Sequence, residues 1–138
     1  QVATTYKAEV VAPDSIFSLD VDIYAPCALG ATLNTENISK LKCAIVSGAA
    51  NNQLADEVVH SKMLMDKGIL WAPDFLINAG GLINVYSELK QFSRAEALKQ
   101  TEHIYKVTLD IFKKSKEEKI PTLIAAMQMA EKRIYGGK

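Results

Sequence analysis

The sequence predicts an α/β chain: a parallel sheet with flanking helices, followed by a wholly helical end. Three observations predict it. Short apolar runs at Asp22 to Pro26, Lys42 to Val46 and Gly68 to Trp71 alternate with stretches of helical spacing. The intervals between them are long enough for the crossover connections that parallel neighbours require. Beyond about Gly81 the pattern is helical throughout.

Composition agrees with a globular chain of single-domain size: 138 residues, 49% hydrophobic and 23% charged. Sixteen basic residues balance sixteen acidic ones, so no electrostatic footprint points to nucleic acid or an anionic membrane as partner. No apolar run reaches the roughly 18 residues of a membrane span, and Gln1 to Glu9 lack a secretory-signal pattern. Cys27 and Cys43 have no paired spacing, which indicates a reducing compartment, with the cytoplasm as the expected location.

In chain order, Gln1 to Tyr6 reads as the tail of a helix, Lys7 to Ala12 as a short strand, and Pro13-Asp14-Ser15 as a turn or helix start. Asp22-Ile23-Tyr24-Ala25-Pro26 reads as a buried strand stopped by proline, with Cys27-Ala28-Leu29-Gly30 at its end. Asn34 is placed to cap a short helix containing Ile38 and Leu41. Lys42 to Val46 is the next strand, and the small-residue loop Ser47 to Leu54 after it carries side-chain amides at Asn51, Asn52 and Gln53. Val58 to Lys67 is a helix with Gly68 as its C-cap, followed by a strand that ends at Ala72-Pro73. Asn78-Ala79-Gly80-Gly81 then turns the chain into a helix with Leu82, Val85, Tyr86 and Leu89 on one face.

The remainder is helical. Ser93-Arg94-Ala95-Glu96 is a capping box, opening a helix to about Lys116 that is expected to bury Leu98, Tyr105, Leu109 and Phe112 along one stripe. The mixed charges of Lys113 to Lys119 mark a solvated helix end. Pro121 restarts a last helix whose Leu123, Met127, Ala130 and Ile134 are read as core, and Gly136 and Gly137 end it. These closing helices look suited to packing on a partner or bridging to another domain, which divides the chain into 1–92 and 93–138.

In an open parallel sheet, ligands bind outside the carboxyl ends of the strands. Three such ends, at Ala25 to Gly30, Ser47 to Gln53 and Pro73 to Gly81, are expected to line one edge together. Adjacent glycines let a backbone approach a ligand closely, and an asparagine amide supplies both donor and acceptor. Plainer readings exist. Asn51 and Asn52 could cap the next helix, and Gly80 and Gly81 could serve only a tight turn. Cys27, with no histidine or basic neighbour, reads as a small packed residue and not as a nucleophile. His60 and His103 lie in helices without ligand spacing and read as surface positions, so no metal site is expected. Trp71 reads as core.

The stretches Asp22 to Gly30, Gly48-Ala49-Ala50-Asn51-Asn52-Gln53-Leu54 and Ala72-Pro73-Asp74-Phe75-Leu76-Ile77-Asn78-Ala79-Gly80-Gly81-Leu82-Ile83-Asn84-Val85 together resemble the cofactor-domain signatures of the leucine dehydrogenases. These belong to the glutamate, leucine, phenylalanine and valine dehydrogenase superfamily, and the similarity runs in register from about Val10 to Ile134. Three motifs in the right order are far more specific than a lone glycine pattern. The resemblance implies a Rossmann-like nucleotide-binding sheet and NAD-dependent, reversible oxidative deamination of a branched-chain L-amino acid to its 2-oxo acid and ammonia.

Site roles follow from the resemblance, residue by residue. Ala25, Pro26, Cys27 and Ala28 would lie along the NAD. Asn51 and Asn52 match the pair whose amides meet the nicotinamide ribose and the substrate carboxylate. The resemblance does not order the two, and the working assignment puts Asn51 on cofactor and Asn52 on substrate. Asn78, Ala79 and Gly80 would lie at the nicotinamide, where neutral donors orient without adding charge. Leu82 and Val85 match the apolar wall of the substrate pocket, with Leu82 bulkier than the valine usual in the leucine enzymes.

No G-x-G-x-x-G occurs in the chain. In the family that fingerprint and the acidic residue reading the adenosine ribose lie upstream of the position matching Gln1. The resemblance thus implies the carboxyl-terminal part of an enzyme cut within its nucleotide-binding domain, with the helical end bridging to a separate substrate domain. That domain would supply the lysines and aspartate of catalysis. No catalytic residue is therefore expected in this chain, which alone is expected to be inactive. The preference for NAD comes from the family, as does a homo-oligomer, commonly an octamer in the leucine enzymes. Two alternatives stand beside this reading: a phenylalanine, valine or glutamate dehydrogenase, and a non-catalytic truncated dinucleotide-binding or assembly module.

Overall fold

Ile23–Tyr24 (β1), Ile45–Val46 (β2) and Leu70–Trp71 (β3) form one parallel sheet in the order β1-β2-β3 in the computed structural model, which describes residues 1–136. The register aligns Tyr24, Val46 and Trp71 in one row and Ile23, Ile45 and Leu70 in the other. All of the first row is buried. That alternation is the period of two that a pleated strand imposes. Ile23 is 55% exposed, so β1 is buried on one face only and the expectation of a fully buried strand is corrected. Lys7 to Ala12 forms no strand: Val10 is exposed, no neighbouring ladder reaches it among the described residues, and Pro13–Ser18 forms a 3-10 turn instead.

Helices α1 (Val2–Tyr6), α2 (Thr35–Lys40) and α3 (Glu57–Asp66) precede β3. Their ends follow capping chemistry. Asn34 accepts from the Asn37 backbone N–H at 2.9 Å, and Asp56 from that of Val59 at 2.8 Å. Gly68, at φ +74°, takes the left-handed conformation just past α3, where only glycine is free of strain. The Lys67 ammonium, beside it, donates to the carbonyls of Ile38, Ser39 and Leu41 and so holds the C-terminal end of α2. His60 is buried, which corrects its reading as a surface residue. Its Nδ1 accepts from the Asp56 backbone N–H at 2.8 Å, which leaves Nε2 to donate to Thr35 Oγ1 at 3.1 Å, so the ring joins the starts of α2 and α3.

The main core lies on the row Tyr24, Val46, Trp71, covered by Leu33, Ile38, Leu41, Leu64 and by Leu123 from the last helix. Burial of these side chains is the chief stabilising term, roughly 1.5 to 3 kcal/mol for each large one. Trp71 is core, as expected.

After β3 come α4 (Asp74–Ile77), a single turn the sequence reading missed, then α5 (Gly80–Lys90), α6 (Arg94–Glu118) and α7 (Thr122–Tyr135). The buried stripes expected on α6 and α7 are corrected in part, with Phe112 packed and Leu123 buried as expected, and the apolar face of α5 is exposed. Leu82, Val85, Tyr86 and Leu89 of α5, Leu98, Tyr105 and Leu109 of α6, and Met127, Ala130 and Ile134 of α7 are exposed. A second core forms instead from Ile111, Ala125 and Ala126, with Leu76, Val107, Phe112 and Met129 packed against it. Val107 and Ile111 also fall at helical spacing, so periodicity alone could not say which stripe of α6 meets α7. The role expected of Gly137 lies outside the described residues.

The capping box of α6 is present: Ser93 Oγ accepts from the Glu96 N–H, and a Glu96 carboxylate oxygen accepts from the Ser93 N–H at 2.7 Å. The Ser93 hydroxyl, then its backbone N–H, hold the Glu96 carboxyl below the usual carboxylate range. A depressed folded value means that this contribution is present above the unfolded glutamate range and lost as pH falls through the folded one. Acidification is therefore expected to fray the first turn of α6, seen as a lower protection factor for the Ser93 amide against its intrinsic exchange rate, and Glu96→Gln should flatten that pH dependence.

Candidate functional site

The sheet delivers its three strand ends to one edge, and backbone contacts fasten them together. The loop after β2 runs against the segment after β1: the Ala50 N–H donates to Pro26 O at 2.9 Å, and a Cβ on Gly48 would lie 2.2 Å from that same oxygen. Gly30 passes close to Asn51 O, 2.7 Å from its ideal Cβ. The Ala31 and Leu33 N–H groups donate to Asn52 O and Gln53 O at 2.7 and 2.9 Å. The glycines that close approach demands are thus Gly30 and Gly48. Gly80 and Gly81 instead open α5 in helical conformation, and a Cβ on either would meet nothing within 4 Å, which corrects the tight-turn reading.

Asn51, after β2, and Asn78, after β3, meet across this edge. Asn78 Nδ2 donates to Asn51 Oδ1 at 2.5 Å. One bond between two amides leaves one NH₂ group and one carbonyl oxygen unspent, whichever way the two are oriented. Neither Asn51 nor Asn52 caps the next helix; Asp56 does that. Asn52 is exposed, with its backbone at φ 52°.

Ala25, Pro26, Cys27 and Ala28 line a hollow of about 650 Å³ with Tyr24, Ala31 and Asn34. Cys27 is exposed, not packed, and its Sγ accepts from the Ala49 N–H at 3.4 Å. Burial pushes the Tyr24 phenol above its ordinary value, against a smaller opposing influence of the Thr32 hydroxyl, so it stays neutral beside the hollow. Ala79 lines a separate hollow of about 570 Å³ between α5, α6 and α7, with Leu76 and Ile83. Leu82 and Val85 stand exposed on α5 and line neither hollow. The structure therefore gathers Asn51 and Asn78 directly, sets Ala25 to Ala28 across the same loop, and leaves Leu82 and Val85 apart. Among the described residues no group of three or more His, Cys, Asp or Glu could hold a metal ion, and no helix is long and apolar enough to cross a membrane.

Two buried polar residues went unassigned in the sequence reading. Gln53 has no exposed surface: its Nε2 donates to Gly48 O and Ala50 O at 2.6 and 3.0 Å, and its Oε1 accepts from Trp71 Nε1 at 3.1 Å. Asp74, also buried, accepts from the Gln53 N–H at 2.8 Å and from the Phe75 N–H at 2.7 Å. The signal available was a polar residue set in an apolar frame, Gln53 before Leu54 and Asp74 after Pro73, beside the amides and the corner.

Parallel strands ending together on a neutral, amide-lined edge define an α/β protein of the kind that holds its ligand at the strand ends. The chain belongs to the glutamate/leucine/phenylalanine/valine dehydrogenase family, whose sequence profile matches residues 1–136. It is 51% identical to L-tryptophan dehydrogenase of Nostoc punctiforme over 138 residues, all of this chain and 39% of that protein. It is 52% identical to leucine dehydrogenase of Thermoactinomyces intermedius over 129 residues, 94% of this chain and 35% of that protein. The crystal structure of the Nostoc punctiforme L-tryptophan dehydrogenase superposes with a TM-score of 0.95 at 51% identity, covering 99% of this chain and 41% of that one. The chain thus spans well under half the length of these relatives.

Proposed function

We propose that this chain forms the nicotinamide side of a Rossmann-like domain in an NAD-dependent amino-acid dehydrogenase, and that the full-length protein oxidatively deaminates L-leucine and related branched-chain amino acids. The observation that carries the reading is the Asn51–Asn78 pair at the joined strand ends, with one NH₂ group and one carbonyl oxygen left over. The nicotinamide ribose and the carboxamide both need neutral partners of that kind. The surroundings fit: small side chains at Ala25, Cys27 and Ala28 wall a hollow, and open space lies over Gly80 and Gly81. Asn51 and Asn78 would hold the nicotinamide end, Ala79 and Gly80 would let the ring approach the backbone, and Ala25 to Ala28 would lie along the rest. Bound NAD supplies the acceptor for the hydride leaving the amino acid's α-carbon.

Asn52 offers its exposed amide to the substrate carboxylate, and Leu82 and Val85 offer apolar surface to the side chain. Such a wall disfavours glutamate, whose second carboxylate would be desolvated without a partner. An aromatic substrate is the second reading, because the L-tryptophan dehydrogenase is as similar to this chain as the leucine enzyme. Helices α6 and α7 would bridge to a substrate domain that carries proton transfer, and the exposed Leu98, Tyr105 and Ile134 are suited to covering by it or by another subunit.

NADH formation by the full-length protein, followed with NAD and a panel of L-amino acids, tests this. Turnover should be fastest with leucine, valine or isoleucine and at least tenfold slower with glutamate, on the scale of about 1 to 3 kcal/mol per pocket change. Preference for tryptophan or phenylalanine would move the substrate to the aromatic reading. No turnover with any of them would leave the assembly-module alternative.

A further inference from the structure

We infer that Gln53 and Asp74 are positioning residues for the Asn51–Asn78 pair: a buried joint that fixes the separation of the two loops carrying the amides. The use of that pair in cofactor binding rests on the function proposed above, while the joint itself rests on geometry. Asp74 touches both loops. Its Oδ2 takes the Gln53 N–H from the loop after β2, and its own backbone carbonyl takes the Asn78 N–H at 3.0 Å. The path from Asn51 through Gln53 and Asp74 to Asn78 is therefore continuous in covalent and hydrogen bonds.

Gln53 stiffens the other half of the path. Its side-chain amide donates to the Gly48 and Ala50 carbonyls, just before Asn51, while its backbone anchors the position two residues after it. Its oxygen is spent on the Trp71 indole, so β3 sets where the whole loop sits. Asn51 is thereby strung between two pinned points.

Burying an amide and a carboxylate at a loop junction costs desolvation that apolar side chains would avoid. Apolar packing would hold the loops together but would leave their register free to slide. Directional bonds fix the register, and a register error of about 1 Å is enough to spoil a shared ligand contact.

The test uses the full-length protein ¹⁵N-labelled on asparagine and the side-chain NH₂ resonances of Asn51 and Asn78. In Asp74→Ala, with the far-UV circular dichroism retained, the Asn78 pair should move toward free-amide positions and exchange about tenfold faster, the factor one lost hydrogen bond represents. Lys67→Met, which loosens the end of α2 away from this edge, should leave both residues where they are. Should Asp74→Ala fail to fold, Trp71→Phe keeps an aromatic ring in the core, removes the indole donor to Gln53 together with part of the ring volume, and should shift the same resonances in the same direction. A folded variant at either position whose Asn51 and Asn78 signals coincide with the wild type would overturn the inference. Addition of NAD to the wild-type full-length protein separates the two proposals. Unmoved amides would count against the nucleotide site, whereas the joint stands or falls on the variants alone.

Discussion

Gly48→Ala is expected to be the most destabilising single substitution at the strand ends, lowering the unfolding free energy by about 3 kcal/mol or more. The added methyl carbon would sit 2.2, 2.4 and 2.6 Å from the oxygen, nitrogen and carbonyl carbon of Pro26. All three are backbone atoms, so no side-chain rotation relieves the clash. Moving the Pro26 segment instead breaks the bond from the Ala50 N–H to Pro26 O, and displacing Gly48 strains its bond from Gln53 Nε2. A domain of this size is stable by only about 5 to 15 kcal/mol, so the loss should be plain in a urea or guanidinium midpoint. Gly80→Ala provides the contrast. Its methyl meets nothing within 4 Å and lies in helical backbone, so stability should hold or rise by up to about 1 kcal/mol. If the cofactor uses that open space, the same methyl weakens NAD binding in the full-length protein. An unchanged midpoint for Gly48→Ala would mean that the loop after β2 is not seated on Pro26.

The contrast between these glycines marks how far the sequence could be read. Strand, corner and cap positions were legible because each follows from local chemistry: Pro26 and Pro73 just past strands, Asn34 before α2, and the reciprocal bonds of Ser93 and Glu96. The meeting of the strand ends was legible too, because parallel topology sends every carboxyl end to the same edge. The helical stripes were not. Leu98, Tyr105 and Leu109 form as regular an apolar row as the face of α6 that packs, and only the small Ala125 and Ala126 on α7 select one over the other. His60 escaped for a similar reason: the partner of its Nε2, Thr35, lies 25 positions away. The glycine pair Gly80-Gly81 drew attention by adjacency, whereas Gly30 and Gly48 carry the tight contacts through neighbours remote in sequence.

Asn51→Ala and Asn78→Ala are each expected to lower kcat/KM for NAD in the full-length protein by about 10- to 100-fold, the loss of one or two hydrogen bonds to a ligand. The more telling result is their combination. Each amide holds the other, so removing Asn51 also frees Asn78 from its only side-chain bond among the described residues. The double variant should then be only slightly worse than either single one, a coupling that independent contacts would not show. Asn52→Ala should behave differently, raising KM for the amino acid with little change for NAD, if Asn52 is the residue on the substrate side. Since Asn51 and Asn52 are adjacent, a general loosening of the loop would move both constants in both variants. Full additivity of Asn51→Ala and Asn78→Ala would show that the two amides act separately, and the paired site would have to be given up in favour of single contacts.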